Sequence, residues 1–206
     1  MKQLKLTTLL TLIMLISACS TYSVDTTRTT FYQEQFSTTG NIYITSAQGL
    51  PTNSLELISY KQKLADKLNN VGYEVVIDKA QADYIATFDY GIDEGDTYFV
   101  TVPVIRTHSR LMHRGKFARL HHKDRHKKIN NATSNIITTY NRVLALDISS
   151  TQADTRIYES QVRSIGECEI MAGVFDQLLE AMFTDFPGEN GKIRKADIPY
   201  QGQCDE

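Results

Sequence analysis

The most concentrated chemistry in this sequence is a basic, histidine-rich segment, residues 106–128. It holds nine Lys or Arg, one acidic residue (Asp124) and all five histidines of the 206-residue chain, a net charge of +8 with neutral His. Such a cluster attracts anions within a Debye length, roughly 8–10 Å at physiological salt, and Lys and Arg pair with phosphate and carboxylate groups. The segment therefore predicts anion binding through Arg106, Arg110, Arg114, Lys116, Arg119, Lys123, Arg125, Lys127 and Lys128.

Alternatives for the same segment remain open. His122 and His126 are four residues apart and share one face if this stretch is helical, with His121 beside them and His113 able to fold back. Imidazole suits zinc, copper or nickel, although the flanking cations repel a divalent ion. Protonation of all five histidines at about pH 6 would increase the positive charge of the segment and make its binding depend on pH. It could also pack on the acidic remainder of its own domain or of a second copy, or have no role.

Catalytic motifs are missing from the sequence. It contains no Gly-x-Ser-x-Gly, no phosphate-binding glycine loop and no Cys beside a His. The acidic residues around Gly91 and Gly95 do not have EF-hand spacing, so a solvated acidic turn is favoured over a calcium site. We therefore predict a non-enzymatic protein without a cofactor. The acidic residues of this turn are Asp89, Asp93, Glu94 and Asp96.

The N-terminus has the features of an export signal. Lys2 and Lys5 precede an apolar stretch of 11 residues, 6–16, which is too short to span a membrane but suits a secretory signal. The sequence Ile16-Ser17-Ala18-Cys19 resembles the bacterial lipobox. That resemblance implies cleavage before Cys19, attachment of lipid to its thiol and acylation of the new N-terminus. A plain signal peptide with an incidental Cys, or a buried N-terminal helix, are the alternatives.

The residues after Cys19 bear on location. Ser20 stands where lipoproteins retained in the inner membrane commonly have Asp, so similarity to that sorting pattern points to the outer membrane, with the domain expected on the periplasmic side. Residues 19–30 are rich in Ser and Thr and predict a flexible tether. Nucleic acid is excluded as a partner by the compartment and by the net charge of -2.

Two cysteines remain once Cys19 is lipidated. Cys168 and Cys204 form an even pair in an oxidising compartment, which predicts a disulfide. This bridge would pin a polar tail, residues 191–206, to the start of the last helix. Two free or mixed-disulfide thiols are the alternative.

Hydrophobic periodicity predicts a single domain over residues 31–190. A helix is expected from Pro51, capped by Asn53 with Glu56 and ended by Gly72, and a final helix has an apolar face from Ile170 to Phe183. The predicted order β-α-β-β-β-β-β-α favours an α+β two-layer sandwich, a mostly antiparallel sheet with two helices on one face. The strands are expected in the second half of 31–45 and at 73–78, 82–90, 97–106, 136–148 and 156–164.

Three further motifs support a family resemblance. They are Val71-Gly72-Tyr73, Ala80-Gln81-Ala82-Asp83-Tyr84 and Phe183-Thr184-Asp185-Phe186-Pro187-Gly188. With the lipobox they resemble a family of uncharacterised bacterial envelope lipoproteins with a single domain of unknown function, over most of residues 19–190. Members generally have a Trp on the strand before the last helix, where this chain has Tyr158. The resemblance brings no established catalytic residue.

These observations lead to two main functional expectations. The first is a lipid-anchored outer-membrane protein with a non-enzymatic envelope maintenance or assembly role, contacting lipopolysaccharide, peptidoglycan or an envelope protein. The second is a periplasmic metal- or pH-responsive binding protein that uses His113, His121, His122 and His126. An enzyme whose pocket leaves no sequence signature is a third. The oligomeric state is not predicted.

Overall fold

The computed structural model describes residues 22–50, 54–103 and 132–200 together with residue 204. Its helices are α1 (Leu55–Asn70) and α2 (Met171–Phe183). Its strands are β1 (Ser23–Tyr32), β2 (Gly40–Ser46), β3 (Tyr73–Val76), β4 (Tyr84–Ile92), β5 (Asp96–Pro103), β6 (Ala132–Ser150), β7 (Thr155–Gly166) and β8 (Lys192–Pro199). Neither described helix is long and apolar enough to cross a membrane.

The strands form one sheet in the order β3-β2-β4-β6-β7-β1-β8, and β5 pairs with β6 outside this path. β2 runs parallel to β3 and β4, and the other pairs are antiparallel. Helix α1 connects the parallel strands β2 and β3, as a parallel pair requires a crossover. The predicted α+β class, with a mostly antiparallel sheet and two helices, is confirmed.

One hydrophobic core lies between the helices and the sheet. Leu57, Leu64 and Leu68 of α1 are buried against inward side chains of the sheet such as Phe88 and Leu146. The two helices also contact each other, because the rings of Tyr60 and Phe175 stack at 3.7 Å between centroids. Inward side chains at every second strand position thus build this core, and the outward positions between them are mostly exposed or half-buried.

The first helix begins one residue later than predicted. Ser54, and not Asn53, is the N-cap, and its hydroxyl accepts a hydrogen bond from Leu57 N at 3.4 Å. The side chain of Glu56, the other residue of the predicted capping box, accepts a hydrogen bond from the Tyr60 hydroxyl. Residues 51–53 lie outside the described part of the chain. The predicted stop at Gly72 is confirmed, since its φ is +114° and an added Cβ would lie 2.8 Å from Thr38 O.

The predicted tether and tail are both wrong where the structure describes them. Residues 23–30 belong to β1, which pairs with β7 on one side and β8 on the other. Residues 192–199 of the supposed tail form β8. The prediction failed because the inward residues of β1 include Thr26, Arg28 and Thr30, which are polar and yet buried. The domain therefore extends from residue 22 to residue 200 and is not limited to 31–190.

Candidate functional site

A two-stranded arm extends beyond the rest of the sheet. β7 pairs with β6 from Tyr140 onward, and β4 pairs with it from Arg142 onward. Residues 132–139 of β6 continue past both and pair with β5 alone. We call β5 and residues 132–139 the arm. Its length follows from eight residues at roughly 3.3 Å each, about 26 Å.

In the sequence, the basic segment lies between the two strands of the arm. Pro103 and Ala132 are cross-strand partners at its far end. The 28 residues that join them contain all of the predicted anion-binding cations and the predicted histidine ligands. Those residues lie outside the described chain, as does the predicted lipidation site Cys19. What the structure shows is that Pro103 and Ala132, the described residues on either side of this stretch of the sequence, lie next to each other at the end of the arm.

Large apolar side chains are exposed along the arm. Phe99 and Ile136 are direct cross-strand partners and are 76% and 67% exposed. Tyr98 and Val100, which alternate with Phe99, are exposed as well. A sheet normally buries one of its faces, whereas this ribbon leaves apolar groups of both faces in solvent. The arm is therefore a candidate interaction surface.

The predicted acidic turn joins β4 to the arm, and the carboxylate of Asp93 in this turn accepts hydrogen bonds from neighbouring residues. Asp93 accepts hydrogen bonds from Asn141 N at 2.9 Å and from Gly95 N at 3.1 Å, and also from the Asn141 side-chain amide. These donors hold the pKa of Asp93 below its ordinary value. Among the described residues, no group of three or more His, Cys, Asp or Glu side chains could hold a metal ion. Asp93 fixes the base of the arm.

The helix-free face of the sheet has a shallow depression of about 650 Å³ across β8, β1, β7 and β6. Lys195, Thr27 and Arg163 lie side by side in its floor, because Thr27 is the register partner of the other two. Arg163 Nε donates to Gln161 Oε1 at 2.9 Å. Asp25 and Asp197 line the same depression. This mixed-charge surface can bind polar groups, and none of these lining residues forms a nucleophile and base pair.

A buried arginine lies on the opposite, helix-covered face. Arg142 is 3% exposed, and burial lowers its pKa from the ordinary value. Its Nε and the Ser164 hydroxyl have no hydrogen-bond partner among the described residues. Gly166 leaves room for this guanidinium, since an added Cβ would lie 2.5 Å from Arg142 Nη2. Sequence reasoning missed Arg142, although its even spacing with the inward residue Leu144 was a usable signal.

The disulfide lies close to the C-terminal end of β7. Cys168, two residues after Gly166, is bonded to Cys204, with 5.6 Å between the Cα atoms. The structure thus supports the predicted pairing. The bridge secures the chain that follows β8 against the β7–α2 connection.

Comparison with known proteins adds little to this geometry. No protein-family model matches the sequence, and no curated protein matches it. One similar solved structure is that of a PDZ domain protein from Parabacteroides distasonis, with a TM-score of 0.44 and 11% identity over 88% of this chain. The match covers 40% of that protein's length. A likeness at this level supports no inference about function.

Proposed function

We propose that this protein is a lipid-anchored, non-enzymatic envelope protein of the outer membrane whose arm contacts the anionic surface of the membrane that holds its anchor. The observation that carries this proposal is the relative placement of β1 and the arm. β1 is antiparallel to β7, and β7 is antiparallel to β6, so β1 and β6 start at the same end of the sheet. Ser23, the first residue of β1, and the arm therefore lie at the same end of the sheet.

The lengths support contact with the same bilayer. Four residue steps separate Cys19 from Ser23, the first residue of β1, and an extended chain covers about 13–14 Å in four steps. The arm extends about 26 Å, because it has eight residues beyond the last pair of β6 with β7. A lipid on Cys19 would hold the domain closer to the bilayer than the arm is long. The arm then reaches the membrane surface.

The chemistry of the arm suits such a surface. Tyr and other aromatic side chains favour the membrane–water interface, where one end of the ring is wet and the other apolar. Tyr98, Phe99 and Ile136 provide exposed apolar groups of this kind. The nine Lys or Arg between residues 106 and 128 add attraction to anionic headgroups, at about 1 kcal/mol for each cation near the surface. Lipid A phosphates and anionic phospholipids have the required charge.

The family resemblance and the lipobox supply the anchor in this proposal. Replacing Cys19 by Ala should therefore release the protein from the membrane fraction and abolish incorporation of labelled fatty acid. Unchanged sedimentation with membranes, or continued labelling, would contradict the anchor. This test is independent of the arm.

Binding of the arm is tested with the chain from residue 19 onward that has Cys19→Ala. It should co-sediment with vesicles containing lipopolysaccharide or anionic phospholipid at low salt, and much less in 0.5 M salt, where screening is stronger. Replacement of Arg114, Lys116, Arg119, Lys123 and Arg125 by Gln should abolish this binding. Phe99→Ser should weaken this binding, whereas its matched control Ile77→Ser, at an exposed residue outside the arm, should leave it unchanged.

The four histidines distinguish anion binding from metal binding in the same experiment. If the basic segment binds anions, replacement of His113, His121, His122 and His126 by Gln should weaken vesicle binding only below about pH 6.5, where histidine is charged. Zinc binding at micromolar level that is lost in this variant, together with vesicle binding that survives the five Gln substitutions, would favour the metal- or pH-responsive reading.

A further inference from the structure

Strand β8 leaves one backbone edge of the sheet open. It is the last strand in the sheet order and pairs with β1 alone among the described residues. An unpaired edge presents a row of N–H and C=O groups to any extended chain that approaches it. The eight residues of β8 are long enough to bind such a chain.

The groups on this open edge can be assigned from the ladder. Tyr200 N donates to Tyr22 O at 2.6 Å, just beyond the pair formed by Val24 and Ile198. In an antiparallel ladder, successive residues direct their backbone groups to opposite sides. The backbone groups of Arg194, Ala196 and Ile198 therefore face β1, and those of Ile193, Lys195 and Asp197 face outward. Pro199 is the next outward position and has no N–H, which suits an edge strand.

Two depressions flank this edge, one on each face of the sheet. The depression of about 650 Å³ on the helix-free face includes Lys195 and Asp197. A second, of about 320 Å³, is lined by Arg28, Thr30 and four residues of β8, Lys192 to Lys195, together with Glu189. Side chains of an added strand alternate between the two faces of a sheet. Successive side chains of such a strand would therefore enter one depression and then the other.

Charge indicates which strand fits. β8 contains three cations and one carboxylate, a net charge of +2. Lys192 pairs with Glu189 and Arg194 pairs with Asp185, whereas Lys195 has no ion-pair partner within the described chain. The second depression is lined by four cations, Arg28, Lys192, Arg194 and Lys195, and by one carboxylate, Glu189, which favours a strand more acidic than β8 itself. Ile193, which is 69% exposed, favours an aliphatic neighbour.

We propose that β8 binds an extended, acidic segment of a partner protein, which joins the sheet as an added edge strand. Main-chain hydrogen bonds to Ile193, Lys195 and Asp197 give affinity, and a carboxylate beside Lys195 gives specificity. This surface uses residues that are separate from the arm. The inference therefore stands whether or not the arm binds a membrane.

The test uses the full chain purified in a nonionic detergent and a fluorescent octapeptide of alternating Glu and Val. Anisotropy should show binding of this peptide and at least about tenfold weaker binding of the matching Lys and Val peptide. Lys195→Pro should abolish binding, because it removes an outward N–H while the ladder to β1 stays intact. Lys195→Gln, which keeps that N–H, should retain part of the affinity.

Amide hydrogen exchange gives a readout that does not depend on a variant folding. The amides of Ile193, Lys195 and Asp197 should exchange fast in the free chain, those of Arg194 and Ala196 slowly, and the peptide should protect the first three. Equal binding of the two peptides, or no protection, would overturn the proposal. Protection of these amides already present in the free chain would show that another part of the chain covers the β8 edge. Protection that rises with protein concentration would show that a second copy of the chain binds there. Either result would also overturn the proposal.

Discussion

The guanidinium of Arg28, in the first strand, donates a hydrogen bond to Met182 O, in the last turn of α2, at 2.8 Å. The same group also donates to Ala181 O at 3.2 Å and to Thr184 O at 2.6 Å. The last four carbonyls of a helix have no intrahelical donor, and the two N–H groups of Arg28 Nη1 are shared among three acceptors at this end of α2. Arg28 thereby ties β1 to the core, which explains why a Ser- and Thr-rich segment is ordered as a strand.

Replacing Arg28 by Met should destabilise the protein by about 3 kcal/mol or more, because it leaves several buried carbonyls without a donor. Arg28→Lys should recover part of the loss, since an ammonium can reach one or two of these oxygens but lacks the fork of donors. Urea denaturation followed by circular dichroism measures both. A loss below about 0.5 kcal/mol for Arg28→Met would show that the contacts contribute little.

Gly188 provides a second test of the same contact. Its φ is +88°, and an added Cβ would lie 2.6 Å from Arg28 Nη2. Gly49 has a similar φ of +100° with nothing within 4 Å of its Cβ position. Both Ala substitutions incur the cost of positive φ, about 1 kcal/mol, but only Gly188→Ala also displaces the guanidinium. We expect Gly188→Ala to be clearly more destabilising than Gly49→Ala, and equal losses of stability would argue against the contact.

The disulfide should contribute to stability through the loop it closes. Cys168 and Cys204 are 36 residues apart, and closing a loop of that length stabilises by about 4 kcal/mol in the chain-entropy model. Cys204→Ser should therefore lower the melting temperature. The double variant with Cys168→Ser should be no less stable than either single variant, because all three lack the same bond. Additive losses would instead indicate separate roles for the two thiols.

Tyrosines buried in the core should make the protein sensitive to alkali. Burial and the hydrogen bond to Glu56 raise the pKa of Tyr60, and burial raises that of Tyr73. The unfolded chain releases these protons near pH 10.0 while the folded protein keeps them, so stability is complete below that pH and falls above it. Tyr60→Phe keeps the ring stack on Phe175 and should make the fall in unfolding free energy above pH 10 shallower by up to about 1.4 kcal/mol per pH unit. An unchanged slope would contradict this assignment.

The contrast between β7 and β1 shows what the sequence could predict. Tyr158 and Val162 are buried in β7, and the predicted strand at 156–164 is confirmed. Thr26 and Arg28 occupy the corresponding inward positions of β1, where polarity conceals the alternation. Their burial depends on partners far along the chain: Ala196 O accepts from the Thr26 hydroxyl at 2.8 Å, and the α2 carbonyls accept from Arg28. A local window does not contain these partners.

The candidate surfaces were predictable to different degrees. The charge of the basic segment follows directly from its composition, whereas its attachment to an arm depends on the register that places Pro103 opposite Ala132. Strand β8 was not predicted, because its many charged residues indicate a polar tail. Ile193 and Ile198, which lie among those charged residues, were the available signal for a strand. Both surfaces depend on long-range pairing, which composition and periodicity do not encode.

The most direct test of the central claim uses a single tryptophan, because the natural chain has none. Phe99→Trp places the reporter on the arm, and Ile77→Trp places one at an exposed residue outside it. Both are made in the chain from residue 19 onward with Cys19→Ala and mixed with anionic vesicles at low salt. The account predicts a blue shift of Trp emission and quenching by acyl-brominated lipid for Phe99→Trp only. Unchanged emission from Phe99→Trp, or equal shifts in both variants, would contradict contact of the arm with the membrane.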